Sequence, residues 1–149
     1  MRSSELHSPW MKFEASSEAF AAYLTRSARE DQLSYLLRYG GQLAGFVNAN
    51  NIVRGAFKSC FLGYGTFQGF ERRGVMRSGL ALVLTDLFEN HDLHRAEANI
   101  QPGNEPSLRL VASLNFEKEG FSKNYLFVDG AWRDHERWAI TKEHWLPES

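Results

Sequence analysis

A chain of 149 residues, 43% hydrophobic and 13% aromatic, fits one domain over residues 1–149 with a real core and is not the composition of a disordered segment. Its 17 basic and 18 acidic residues leave a net charge of −1, which argues against direct binding of nucleic acid, where positive charge gathers in excess. The single cysteine, Cys60, excludes an internal disulfide. No apolar run reaches the ~18 residues of a membrane span, and residues 1–7 lack the apolar core of a secretion signal. A cytoplasmic protein without a membrane partner is the expectation.

Residues 1–13, with Pro9 and Trp10, read as an irregular start. Ser16 or Ser17 is placed to cap a helix running to about Arg29, with Phe20, Tyr23, Leu24 and Ala28 on one face. Residues 33–39 and 42–48 read as strands around the turn pair Gly40-Gly41. Asn50-Asn51 begins a loop through Gly55, and residues 58–67 form a third strand interrupted by Gly63 and Gly65. Glycine within a strand marks a bulge or a close backbone approach.

From Val75 the period changes. Met76, Leu80, Val83, Leu84 and Leu87 recur at helical steps, which predicts a helix to about Asn90. Residues 95–100 are a short strand, and Asn104 or Ser107 opens a further helix carrying Leu108, Val111, Ala112 and Leu114. Asn115 sits where that helix must end in a left-handed residue. Residues 123–128 and 135–141 are strands around Asp129-Gly130. These elements make a mixed α/β (α+β) chain with a largely antiparallel sheet flanked by helices.

One junction carries chemistry. The third strand leads through 68–73 into Gly74 and the long helix. Amides at a helix start lack intrahelical partners and face any anion placed there. Gly74 allows close approach, and Arg72, Arg73 and Arg77 add positive charge. By itself this could equally be an ordinary strand-to-helix turn with a solvated basic patch. It is neither a Walker loop nor a dinucleotide fingerprint.

Glu71-Arg72-Arg73-Gly74-Val75-Met76 resembles the coenzyme A pyrophosphate loop of the GNAT acetyltransferases. Around it, in order, stand Asn51-Ile52-Val53-Arg54-Gly55, Leu62-Gly63-Tyr64, His94-Arg95, Pro102-Gly103-Asn104-Glu105-Pro106-Ser107, Leu114-Asn115-Phe116 and Gly130-Ala131-Trp132-Arg133-Asp134-His135. Together, over residues 9–142, they resemble the ribosomal-protein N-acetyltransferase branch of RimJ/RimL type, RimJ most of all. The resemblance implies a splayed GNAT sheet with acetyl-CoA between two parallel strands, here 59–67 and 95–100, and transfer of acetyl to a protein N-terminal amine.

Four departures stand out. Glu71 replaces the usual Gln or Arg, Arg72 replaces a frequent Gly, and Asn115 replaces the Gly of Leu-Gly-Phe. The strand and helix that normally open the family fold have no room ahead of residues 6–10, so the usual first strand and helix are expected to be missing. The sheet edge this would expose invites a second copy, a homodimer.

The resemblance assigns coenzyme contacts to Gly65, Phe67, Arg72, Arg73, Gly74, Val75, Met76, Arg77, Asn104 and Ser107. Backbone N–H groups from Tyr64 to Phe67 would hold the thioester oxygen, and Ser107 would protonate the leaving thiolate. Asn104 is also a favoured helix cap, and both roles can coexist.

The base is open. Carboxylates used by relatives fall at Cys60-Phe61 and near Leu126, where none stands. Glu97 is one candidate, His135 with Asp134 a second, and Tyr64 and Tyr125 are proton relays or packing residues. Cys60, in an apolar run, is a buried thiol unless a His lies beside it in space. His91 and His94 lack a third ligand, so no metal is expected. An acetyl-CoA-dependent N-acetyltransferase acting on a protein N-terminus leads. A small-amine acetyltransferase and a non-catalytic acyl-CoA-binding module are the alternatives.

Overall fold

The computed structural model describes residues 11–14, 23–29, 31–71 and 73–146. The elements are β1 (Met11–Glu14), β2 (Tyr23–Arg29), β3 (Gln32–Tyr39), β4 (Gln42–Val53), β5 (Ser59–Thr66), α1 (Val75–Asn90), β6 (Arg95–Ile100), α2 (Glu105–Ser113), β7 (Glu117–Val128), β8 (Ala131–Thr141) and α3 (Lys142–Trp145). The strands form an eight-stranded sheet in the order β1-β2-β3-β4-β5-β6-β8-β7. The β5–β6 pair is parallel, and every other neighbouring pair is antiparallel.

The hairpins follow from their turns. Gly40 and Gly41 have φ of 61° and 86°, and Asp129 and Gly130 have 51° and 82°, the left-handed pairs that match the twist of two-residue β-turns. Alternation then chooses the buried face. Leu33, Tyr35 and Leu37 on β3 and Val47 and Ala49 on β4 turn inward, each at most 2% exposed. They meet α1, whose Leu80, Val83, Leu84 and Leu87 are fully buried. Closeness is required here: a Cβ on Gly79 would stand 2.5 Å from Leu37 Cδ1.

At the end of α2 the expected left-handed residue is Asn115, with φ 72°. The Phe116 N–H donates to the Val111 carbonyl at 3.0 Å and the Asn115 N–H to the Ala112 carbonyl at 3.1 Å, the paired bonds of a Schellman end. Asn in place of Gly therefore keeps the geometry of that cap.

Several boundaries differ from expectation. Tyr23–Arg29 is a strand rather than the end of a helix, paired to β3 from Tyr23↔Arg38 to Arg29↔Gln32. Partnering with the neighbouring strand outweighs a weak helical stripe; the expected cap at Ser16 or Ser17 lies outside the described residues. Met11–Glu14 pairs with β2 where an irregular start was expected. The loop expected from Asn50 is strand as far as Val53. A register shift between Asn50 and Val53, with Asn51 at φ 51°, absorbs the irregularity. Likewise β7 begins at Glu117, and shifts at 118/120 and 122/126 carry it past residues that read as loop.

Among the described residues no helix is long and apolar enough to cross a membrane. Cys60 is 1% exposed in the core. Burial, with the nearby Glu97 carboxylate adding, pushes its thiol up to about 12. A raised thiol is neutral below that value and so is a poor nucleophile at ordinary pH. A thiol reagent at pH 8 should leave Cys60 unlabelled in the folded protein and label it fully in denaturant; rapid labelling of the native chain would contradict this burial.

Candidate active site

Parallel pairing of β5 and β6 runs only from Ser59↔Arg95 to Phe61↔Glu97. Beyond it β5 stays with β4 as far as Thr66, while β6 stays with β8 as far as Ile100. The two halves of the sheet part, and a cleft of about 610 Å³ opens between them. Over 62–66 the side of β5 turned toward β6 has no strand partner, so its backbone groups are open to a ligand. Gly65 has a packing reason as well: a Cβ there would lie 2.7 Å from Phe46 Cε1. Its absence lets Phe46 lie against the strand.

Gly74 caps α1 at the mouth of this cleft with φ 73° and ψ 9°, a left-handed conformation that favours glycine. No side chain caps the helix, and its first turn holds no acidic residue. The early amides of a 16-residue helix therefore face outward, and Val75, Met76 and Arg77 line the cleft. The awkward carboxylate is turned back on its own loop, where Glu71 Oε1 accepts from the Gly69 N–H at 2.9 Å. Arg77 ties the helix to α2, donating to Ser113 Oγ at 3.1 Å and to its carbonyl at 3.4 Å. Arg73 lies over the Phe70 ring at 5.9 Å and Phe67 beside Phe46 at 6.2 Å; neither lines the cleft. Arg72 lies outside the described residues.

In the same cleft, Tyr64 and Ser107 meet with their hydroxyl oxygens 2.5 Å apart, either one the donor. Their positions have separate origins. Tyr64 comes from β5, and Ser107 sits in the first turn of α2, where Asn104 Oδ1 accepts from the Ser107 N–H at 3.3 Å. Burial raises the Tyr64 phenol above its usual range, against a smaller opposing effect of the Ser107 hydrogen bond. The phenol is thus a proton donor rather than a tyrosinate at neutral pH.

The other wall is built from β6 and β8. Arg95, Glu97 and Asn99 stand on one face of β6, two residues apart. Glu97 is 7% exposed and accepts from Arg95 at 2.8 Å and from Asn99 Nδ2 at 3.2 Å. Arg95 also donates to Glu119 at 2.7 Å, and that bond is the main reason the Glu119 carboxyl is held below its usual range. Glu97 is therefore committed to its neighbours and does not line the cleft, while Asn99 does.

His135 lines the cleft as well, 4% exposed, with Nδ1 3.0 Å from the Arg133 carbonyl and the Tyr125 ring at 6.0 Å. Asp134 is directed elsewhere and accepts from the Asn124 N–H at 2.9 Å. The sequence reading did not single out Asn99; its only signal was the two-residue step from Glu97 on the same strand face.

Of the expected site residues, Tyr64, Gly65, Gly74, Val75, Met76, Arg77, Asn104 and Ser107 converge on one cleft, and Phe67, Arg73 and Glu97 stand outside its lining. His91 is 3.1 Å from Asp86 and His94 is 2.8 Å from Glu143, so the two rings serve different carboxylates.

A parallel pair thus parts over a helix N-terminus, with side chains of two further elements on the far wall. Residues 1–117 match the family model of the Acetyltransferase (GNAT) domain, and the chain belongs to that family. It is similar to the [ribosomal protein uS5]-alanine N-acetyltransferase of Escherichia coli (strain K12), 41% identical over 106 residues that make up 71% of this chain and 55% of the relative. Among solved structures it resembles Mycobacterium smegmatis RimJ in complex with CoA-disulfide, at 38% identity and TM-score 0.76, covering 80% of this chain and 56% of that one. The Vibrio fischeri ribosomal-protein-S5-alanine acetyltransferase aligns at 30% identity and TM-score 0.72 over 78% of this chain and 64% of that one. The chain thus spans a little over half the length of the curated relative.

The raised phenol gives a direct test of the hydroxyl pair. In an ultraviolet titration of the folded protein, part of the tyrosine absorbance should appear only at higher pH than in the denatured chain. That late fraction should shrink in Tyr64→Phe; an unchanged late fraction would place Tyr64 in solvent. The sign for stability follows: the folded state keeps this proton longer, so the contribution of Tyr64 is present below the unfolded value near ~10 and is lost as pH rises past it.

Proposed function

We propose that this chain transfers the acetyl group of acetyl-CoA to a primary amine, and that the acceptor is the N-terminal α-amine of a protein. The observation that carries the reading is the convergence, in one cleft, of the uncapped start of α1 at Gly74 and the Tyr64–Ser107 hydroxyl pair. An anion seat and a proton donor lining one gap in the sheet suit a thioester carried on a pyrophosphate arm.

The amides of Val75, Met76 and Arg77 would hold the pyrophosphate. Asn104, already turned toward the cleft as a cap, would meet the pantetheine arm. Open backbone donors of β5 beside Gly65 would face the thioester oxygen, where negative charge gathers during transfer. Ser107, aligned by Tyr64, would give a proton to the departing sulfur. Acetyl-CoA itself brings the activated acyl group. An α-amine titrates near ~8, so deprotonating it needs only a modest base.

The acceptor class rests on charge and shape. Among the described residues the charged side chains lining the cleft are Arg77 and Arg109, the latter paired with Glu105, and no carboxylate joins them to attract a polycation such as spermidine. An open cleft also admits a chain end that continues into solvent. The Escherichia coli relative is named for the alanine of a ribosomal protein, and a peptide beginning with alanine is accordingly the first acceptor to offer.

Calorimetry should show acetyl-CoA binding, and release of free coenzyme A should be faster with N-terminal peptides than with spermidine. Preference for spermidine would favour the small-amine enzyme. Binding without turnover on any amine would favour an acyl-CoA-binding module, and no binding at high micromolar ligand would sink all three readings.

A sharper test is Gly74→Asp. A Cβ at Gly74 meets nothing within 4 Å, and Asp tolerates left-handed backbone, so the fold should survive. The added carboxylate would compete for the amides that hold the phosphates and repel them. Affinity for acetyl-CoA should fall by about tenfold or more, with the circular dichroism spectrum unchanged. Unaltered affinity would place the phosphates elsewhere.

A further inference from the structure

The far wall of the cleft contains a polar atom with no partner among the described residues. Asn99 Oδ1 is buried and has no hydrogen-bond partner among the described residues, although its residue lines the cleft. Its orientation is not arbitrary. Asn99 Nδ2 donates to Glu97 at 3.2 Å, and Arg95 holds Glu97 from the other side at 2.8 Å. A carboxylate can only accept, so the amide nitrogen must face Glu97 and the oxygen must face away. A buried acceptor left open costs about 1–3 kcal/mol, a cost that an N–H donor reaching it would relieve.

His135 is the next polar group along this wall. Asn99 pairs with Arg137 across β6 and β8, which makes His135 its diagonal neighbour on the same face, ~7–8 Å away by sheet geometry. Its Nδ1 lies 3.0 Å from the Arg133 carbonyl. A carbonyl cannot donate, so Nδ1 carries the hydrogen, and in the neutral ring Nε2 holds the lone pair. The other candidate bases are spoken for: Glu97 is ion-paired, Asp134 binds the Asn124 amide, and Tyr64 is held neutral by burial.

We propose that Asn99 and His135 form the seat of the accepting amine, Asn99 Oδ1 binding the ammonium and His135 Nε2 removing its proton. This inference rests on the acetyl-transfer reading above and assigns the role of base that the sequence left open. The ammonium gives one proton to Nε2, and the freed amine attacks the thioester carbon. A C–N bond forms and the C–S bond breaks. The sulfur takes a proton from the Tyr64–Ser107 pair, which is replaced by the proton the nitrogen sheds in becoming an amide. His135 passes its own proton to water, so one proton is released per turnover. The base stands on the β6–β8 wall and the acid on the β5–α2 wall, on opposite sides of the cleft.

The test uses the full chain with acetyl-CoA and a short peptide beginning with alanine. His135→Asn keeps a donor for the Arg133 carbonyl and removes Nε2. Its kcat should fall about 100-fold or more, while calorimetric affinity for acetyl-CoA stays within about twofold of the parent and so reports an intact fold. Asn99→Ala should raise KM for the peptide about tenfold and leave KM for acetyl-CoA unchanged. Two-bond proton–nitrogen spectra of the unmodified protein should show His135 as the Nδ1–H tautomer. Full activity in His135→Asn, or the Nε2–H tautomer, would overturn the seat alone. An unmodified protein that binds acetyl-CoA yet acetylates no peptide or amine would overturn the transfer reading, and the seat with it.

Discussion

Everything in the candidate site depends on one interrupted pairing. β5 and β6 are hydrogen-bonded as parallel neighbours only from Ser59↔Arg95 to Phe61↔Glu97. Each then follows its other partner, β4 on one side and β8 on the other. A sheet that stayed paired would satisfy every backbone group within itself and leave no room for a ligand. Because the pair is closed at one end, the gap has a rigid apex, buried around Cys60 and Ala96. It widens toward Thr66 and Ile100, where the residues of the candidate site gather.

The helices exploit that gap from the same direction. α1 leaves the end of β5 through a loop that ends at left-handed Gly74 and so presents bare amides at the mouth. α2 leaves the end of β6 with its own cap, Asn104, and sets Ser107 against Tyr64. Arg77 joins the two helices through Ser113. That bond links the start of α1 to the helix that carries Ser107 of the hydroxyl pair. On the opposite wall the chain Arg95–Glu97–Asn99 fixes a side-chain amide by successive hydrogen bonds, a polar network that ends on a residue lining the cleft.

Much of this was legible in the residues. The 3.6-residue period of Leu80, Val83, Leu84 and Leu87 gave α1 with its observed bounds, and Asn104 and Asn115 marked both ends of α2, because capping chemistry is local. The resemblance carried by Glu71 to Met76 and its neighbours pointed to the GNAT family, and the match of residues 1–117 to the GNAT domain agrees with it. What failed was set by partners distant in sequence. Tyr23–Arg29 follows β3 rather than its own helical stripe, and Asn50 to Val53 follows β5 through a bulge. Glu97 stood in the sequence as a candidate base or an ion-paired strand residue, and Arg95 and Asn99, each two residues away on the same strand face, both bind it. The direction in which Glu71 points was equally unreadable, since it depends on the fold of its own turn.

The central claim is that the parted strands and the start of α1 receive acetyl-CoA together. Hydrogen exchange of the backbone amides with and without acetyl-CoA tests it most directly. The account predicts slower exchange at two separate stretches, residues 62–66 of β5 and 75–77 of α1, with little change at the β7–β8 turn around Asp129. Protection confined to another surface, or none at either stretch at saturating ligand, would contradict it.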